Sequence, residues 1–94
     1  MDLQLNAKRA LVTGSSAGIG EAIAKALAAE GASVIVHGRS AERAGAVAEA
    51  IRSAGGRAEV ALGDLSLDEG ARAVAEAALA GGLVDILVNN AGSY

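Results

Sequence analysis

The spacing of apolar residues switches repeatedly between two periods along this chain, and that alternation restricts the fold more than any other feature. Arg9-Ala-Leu-Val-Thr13 is a short apolar run closed by Gly14, and it reads as a strand buried on both faces. From Ile19 the period becomes helical: Ile19, Ala22, Ile23, Ala26 and Leu27 fall on one face, and Gly31 follows as a stop. Ser33-Val-Ile-Val36 is a second buried strand. Ser40 can cap a second helix, although Arg43 stands where a capping box prefers an acid. The inward face of that helix is Ala44, Val47, Ala48 and Ile51, and Gly55-Gly56 ends it. Glu59-Val-Ala-Leu62 is a third strand. Ser66 with Glu69 forms a capping-box pattern for a third helix, whose stripe is Leu67, Ala71, Val74, Ala75, Ala78 and Leu79. Gly81-Gly82 stops it, Val84-Asp-Ile-Leu-Val88 is a fourth strand, and Asn89-Asn-Ala-Gly92 follows.

The element order is therefore β-α-β-α-β-α-β. Each helix is long enough to cross between parallel strands, and such crossovers are right-handed. The expected solution is an α/β, doubly wound parallel sheet of order 3-2-1-4, truncated after the fourth strand, with residues 1–94 forming the N-terminal part of one domain. The first two helices then cover one face and the third helix the other. Val84–Val88 becomes an apolar edge that invites pairing. The direction of winding reverses between the first and fourth strands, and ligands bind beyond the carboxyl ends of strands at such a point. Gly14 and Asn89 close those two strands, so both motifs are expected at one crevice.

Composition narrows the function. Hydrophobic residues make up 52% and charged residues 20% of the chain, too apolar for a disordered tail and too interrupted by charge for a membrane span. The only aromatic residue is Tyr94, so the core rests on Ala, Val, Ile and Leu. Net charge is −3 with scattered Lys and Arg, which argues against nucleic acid as a partner. Cysteine is absent, which removes disulfides, thiolate nucleophiles and zinc–thiolate sites and fits a cytoplasmic setting. The first ten residues lack the apolar core of a signal peptide.

Thr13-Gly-Ser-Ser-Ala-Gly-Ile-Gly20 joins the first strand to the first helix. Gly14 can take the positive φ of a sharp turn, Gly18 lets backbone approach a phosphate, and Gly20 lets the helix start pack near the strand. The helix N-terminus offers N–H groups to a pyrophosphate, and Ser15 and Ser16 can add hydroxyl donors. A tight structural turn is the plainer reading of the same residues, but the strand before it and the helix after it are the context that a phosphate loop requires.

TGSSAGIG resembles the TGxxxGxG loop of the short-chain dehydrogenase/reductase family. Gly63-Asp64-Leu65 is similar to that family's turn after the third strand, and Asp85–Gly92 to its NNAG segment. The three features occur in the right order and cover essentially the whole chain. The resemblance implies a Rossmann-type fold and a nicotinamide dinucleotide as partner. It implies that Asp64 takes the adenine amino group, that Leu65 lies near the ring, and that Asn90, Ala91 and Gly92 run beside the riboses. Ile19 would form an apolar wall by the pyrophosphate. Asp64 can equally be a turn carboxylate with no ligand. Asn89 and Asn90 can tie neighbouring loops, with the structural role larger for Asn89.

After the second strand, Gly38 occupies the slot where NAD-preferring members carry an acid, and Arg39 can bind a phosphate through two parallel hydrogen bonds. NADP is the expected cofactor and NAD the alternative, because Ala17 stands where many NADP-preferring relatives place Arg or Lys. Arg39 can also stack on adenine or stay solvated. His37 reads as a strand-end side chain near the cofactor mouth.

The family's Ser and Tyr-x-x-x-Lys lie well downstream of NNAG, and Tyr94 has no following Lys. No catalytic residue and no metal ligand is therefore assigned within this chain. The reading is the cofactor-binding half of an NAD(P)-dependent oxidoreductase acting on a carbonyl or alcohol, inactive by itself. The expected partners are the missing C-terminal half and further copies, with no membrane. The competing readings are a non-catalytic nucleotide-binding module and, more weakly, an interaction protein that keeps the sheet without the cofactor.

Overall fold

A computed structural model describes residues 5–90. Its elements are β1 (Arg9–Val12), α1 (Gly18–Ala29), β2 (Ser33–Gly38), α2 (Ala41–Ser53), β3 (Arg57–Leu62), α3 (Asp68–Ala80) and β4 (Ile86–Val88). The sheet is parallel throughout, with the order β3-β2-β1-β4. The register pairs Leu11 with Ile35 and Leu87, which aligns one row of side chains across the sheet.

The two sheet faces carry separate cores. Val12, Val34 and Val36 pack with Ala24 and Ala28 of α1 and with Ala44, Val47, Ala48 and Ile51 of α2. Leu11, Ile35 and Ala61 pack with Val74 and Ala78 of α3. Two helices on one face and one on the other is what right-handed crossovers require of this strand order.

Three local expectations need correction. The buried face of α1 is Gly20, Ala24 and Ala28, with Ile23 and Leu27 half-buried beside it and Ala22 and Ala26 exposed. Close approach of helix to sheet selects the smallest residues for the contact line, and the larger ones flank it. The stripe of α3 shrinks to Val74 and Ala78, while Leu67 and Leu79 stay exposed. The fourth strand is three residues long, Ile86–Val88, and Leu87 is 64% exposed on the α3 side.

Helix ends are held in different ways. Ser40 caps α2, its Oγ accepting from the Arg43 N–H at 3.2 Å. At the amino ends of the strands, arginines satisfy carbonyls. Arg9 donates to Ala78 O and Gly82 O at 2.7 Å each and also pairs with Glu59. Arg57 donates to Gly31 O at 2.7 Å, past the end of α1. The recess between these arginines is thus lined by donors already engaged. No helix among the described residues is long and apolar enough to cross a membrane.

Candidate dinucleotide crevice

The loop after β1 is pinned from beneath and open in front. Gly14 has φ +64° and turns the chain away from the sheet. Its carbonyl oxygen accepts from Asn90 Nδ2 at 3.2 Å. Thr13 N–H donates to Val88 O at 3.0 Å, and Thr13 Oγ1 accepts from Asn90 N–H at 2.9 Å. The turn from residue 13 to 20 and the residues after β4 therefore meet at one crevice mouth. Ala91 and Gly92 lie outside the described residues.

Gly20 sits in the tightest part. A Cβ there would fall well inside contact distance of Gly14 O and 2.7 Å from Asn90 Nδ2. Gly18 is the opposite case: it has φ +61°, and nothing lies within 4 Å of where its Cβ would be. Ala17 precedes α1 without a side-chain cap, and the first N–H groups of a helix have no intrahelical partner. Ile19 is 74% exposed beside them. The result is an open cradle of backbone donors at the positive end of the helix dipole.

Ser15 departs from the expected donor role. It is fully buried, and its Oγ accepts from the His37 N–H at 2.8 Å while its own N–H donates to His37 O at 2.9 Å. It is a strut under the loop. Ser16 stays half-buried at the loop surface, and its side chain fills the space where Gly38 would carry a Cβ, with Oγ 2.7 Å and Cβ 2.8 Å from that point. Arg39 is exposed, with its Nη1 3.9 Å from Asp64 Oδ2. An ion pair this exposed contributes little to stability.

Asp64 serves the turn after β3. Its Oδ1 accepts from Ser66 Oγ at 2.6 Å and from the Ser66 N–H at 2.9 Å. Ser66 therefore does not cap α3, which starts after Leu67 with no side-chain cap. The carboxylate two residues earlier takes both Ser66 donors. Leu65 is half-buried and packs against the cluster under α3. The Ser66 hydroxyl and then its N–H hold the Asp64 carboxyl below the usual carboxylate range, desolvation opposes them, and the Arg39 charge adds the smallest lowering effect.

That shift has a pH consequence. A carboxyl whose folded value is depressed contributes stability above its unfolded value and loses it as pH falls through the folded one. Asp64 should contribute evenly from neutral pH down to about pH 4 and lose its contribution below. Thermal unfolding of Asp64→Asn against the parent, followed from about pH 6 to about pH 2.5, should show the two curves converging at the acid end. A constant gap would contradict the assignment.

Asn90 and Asn89 exchange their expected weights. Asn90 ties the crevice through two hydrogen bonds, whereas the exposed Asn89 makes one long contact, its Oδ1 3.4 Å from Thr13 Oγ1. His37 stands at the strand end expected of it, beside the crevice, but the partners of its ring, Gly14 N–H and Gly63 O, were not anticipated. A polar residue that continues an apolar run buried on both faces was the available signal, because such a group must find partners.

A parallel sheet that reverses at a glycine loop, closed by an asparagine from the neighbouring strand, defines a dinucleotide-binding class of α/β protein. The family model for short chain dehydrogenases matches residues 8–94, and the chain belongs to that family. It is 50% identical over 93 residues to an uncharacterized oxidoreductase of Methylorubrum extorquens, covering 97% of this chain and 38% of that protein. It is 42% identical over 92 residues to the 7alpha-hydroxysteroid dehydrogenase of Escherichia coli K12, covering 97% of this chain and 36% of that one. The crystal structure of L-sorbose reductase from Gluconobacter frateurii, complexed with NADPH and L-sorbose, superimposes with a TM-score of 0.92 at 40% identity, over 98% of this chain and 36% of the reductase. The chain thus spans a little over a third of the length of these relatives.

Proposed function

We propose that this chain holds the cofactor of an NADP-dependent oxidoreductase that reduces a carbonyl or oxidises an alcohol. The observation that carries the reading is the crevice between β1 and β4. It is closed at Gly20 and Asn90 and open before Gly18, and it presents uncapped helix N–H groups to a diphosphate. In this reading Gly14, Ser16, Gly18, Ile19 and Gly20 line the pyrophosphate. Asn90, Ala91 and Gly92 follow the riboses. Asp64 keeps Oδ2 for the adenine amino group while Oδ1 holds its own turn, and Leu65 supports the ring side. Ser15 acts from beneath.

The nicotinamide ring of such a cofactor supplies or accepts the hydride. The residues of this chain bind and orient it. The family's Tyr-x-x-x-Lys set is not among these 94 residues, so the reading assigns them no proton transfer. The exposed Leu79, Leu83 and Leu87 on the α3 side fit cover by further polypeptide, either the remainder of a dehydrogenase or another copy. Lack of cysteine fits a reducing, cytoplasmic setting.

Relatives of known structure hold either NADP(H) or NADH, so the preference rests on this chain's own residues. Gly38 offers no acid to repel a 2′-phosphate, and the Ser16 side chain fills the place of its missing Cβ. Arg39 stands exposed beside it, with Nη1 3.9 Å from Asp64 Oδ2, and its remaining donors can take that phosphate. Calorimetric titration with NADP and NAD tests both parts. Arg39→Ala should weaken NADP binding by about tenfold to a hundredfold and NAD binding by less than about threefold. Equal losses would reject the role of Arg39, and no binding of either dinucleotide by the parent protein would reject the function.

A further inference from the structure

His37 is the only histidine of the chain and is 4% exposed at the end of β2. Both of its ring nitrogens are engaged, and each reaches a different neighbour. Nδ1 accepts from the Gly14 N–H at 2.8 Å, and Nε2 lies 2.8 Å from Gly63 O. A backbone N–H can only donate and a carbonyl can only accept. The two partners therefore fix a neutral ring with its proton on Nε2.

The location gives this pair of bonds its meaning. β2 lies between β1 and β3, whose axes are roughly 10 Å apart at ordinary strand spacing. Gly14 begins the turn after β1, and Gly63 begins the turn after β3. The ring bridges both from the strand between them. It takes over where the backbone ladder ends, since Gly63 N–H makes a last rung to Gly38 O at 3.2 Å. Ser15 locks the same residue from its main chain, accepting the His37 N–H and donating to the His37 carbonyl.

We infer that His37 is a positioning residue that clamps the phosphate-binding turn at Gly14 to the adenine-binding turn at Gly63, and so sets the distance between the grips on the two ends of the ADP moiety. This rests on the dinucleotide reading above. The clamp makes no contact with cofactor itself. It acts through the Gly14 turn, whose φ +64° directs the loop, and through the turn carrying Asp64. Without the ring, a half-buried N–H and a half-buried carbonyl lose their partners, and each turn relaxes independently.

The two half-mimics of the ring separate this from simple packing. The Oδ1 of His37→Asn stands near the place of Nδ1 and can accept from Gly14. The Nε2 of His37→Gln stands near the place of the ring Nε2 and can donate to Gly63. His37→Ala should weaken NADP about tenfold or more, and each half-mimic should recover part of that loss. Ile51→Val, which empties core space beside Gly56 at the amino end of the sheet, should lower Tm while leaving NADP affinity unchanged. A folded His37→Ala protein that binds NADP like the parent overturns the inference, as do half-mimics no better than alanine.

Nitrogen-15 NMR of the single imidazole gives a readout that needs neither a variant nor a ligand. The expected result is protonation at Nε2 alone, with scalar coupling between Nδ1 and the Gly14 amide nitrogen across their hydrogen bond. Protonation at Nδ1, or no such coupling, overturns the clamp even if every variant misfolds. Failure of the parent protein to bind NADP would sink the function reading, and the NMR result would still decide the clamp.

Discussion

Gly20→Ala is expected to cost about 2 kcal/mol of stability and to weaken dinucleotide binding by about a hundredfold, although alanine is the better helix former. In a helix interior the exchange normally gains roughly 0.8–1.0 kcal/mol. Here the added methyl would press on the carbonyl of Gly14 and on the Asn90 amide 2.7 Å away. Neither can retreat cheaply. The Gly14 carbonyl belongs to a turn already fixed through its N–H to His37, and Asn90 is held through its own N–H to Thr13. Either α1 lifts from the end of β1 or the turn opens, and both displace the N–H groups that face the crevice. Gly45 of α2 provides the control, because nothing lies within 4 Å of where its Cβ would be. Gly45→Ala should stabilise by about 0.5–1 kcal/mol and leave binding unchanged. Urea unfolding and NADP titration of the two variants side by side read both effects. If Gly20→Ala behaves like Gly45→Ala, the close approach at the crevice is not required.

Gly20 also marks what a sequence can and cannot disclose about this fold. The alternation of periods was legible because β1 and β2 are short apolar runs and the segments between strands repeat at helical spacing. Together with right-handed crossovers they point to a parallel, doubly wound sheet, whose β3-β2-β1-β4 order is the one observed. The α2 face of Ala44, Val47, Ala48 and Ile51 was also legible, since its apolar positions are flanked by charged ones. In α1 nearly every position is apolar or small, so amphipathicity discriminates poorly. Weighting by size picks out the line of Ile19, Ile23 and Leu27. The structure selects Gly20, Ala24 and Ala28, because distance to the sheet decides the contact line.

The site divides along a similar boundary. The glycine loop shows in the sequence because steric need restricts residue type at each glycine. Ser15 is partnered by the main chain of His37 in β2, the His37 ring by backbone groups of two distant turns, and backbone groups leave no mark in a sequence. Ser66 illustrates the same limit from the other side. Ser66 and Glu69 satisfy a capping-box pattern, yet the competing acceptor two residues earlier, Asp64, takes both the Ser66 hydroxyl and its N–H. The pattern was present, but Asp64 accepts the N–H that a capping box gives to the acid three residues on, and α3 starts one residue later, after Leu67.

Ile35→Ala is expected to cost about 3–4 kcal/mol, which for a chain of this length is a large part of a total of roughly 5–14 kcal/mol. Ile35 heads the fully buried side chains by volume and is 1% exposed. It stands on the α3 side of the sheet, between Leu11 and Ala61 and under Val74 and Ala78. Three of these neighbours are short or β-branched, so none can swing into the space left behind, and a cavity persists. Only one helix covers that face among the described residues, whereas the opposite face is covered by α1 and α2. Val34→Ala on that opposite face removes less volume and should cost less, about 2 kcal/mol. A loss below about 1 kcal/mol for Ile35→Ala in urea unfolding would mean that the α3 layer is not tightly packed. Saturating NADP separates this variant from Gly20→Ala. Ile35 does not touch the crevice, so cofactor at about 100 times its dissociation constant should return about 2.7 kcal/mol to Ile35→Ala. The same concentration should return only about 0.4 kcal/mol to Gly20→Ala, whose affinity is about a hundredfold weaker. Restoration of one variant and not the other would place core and crevice on separate energetic footings within one sheet.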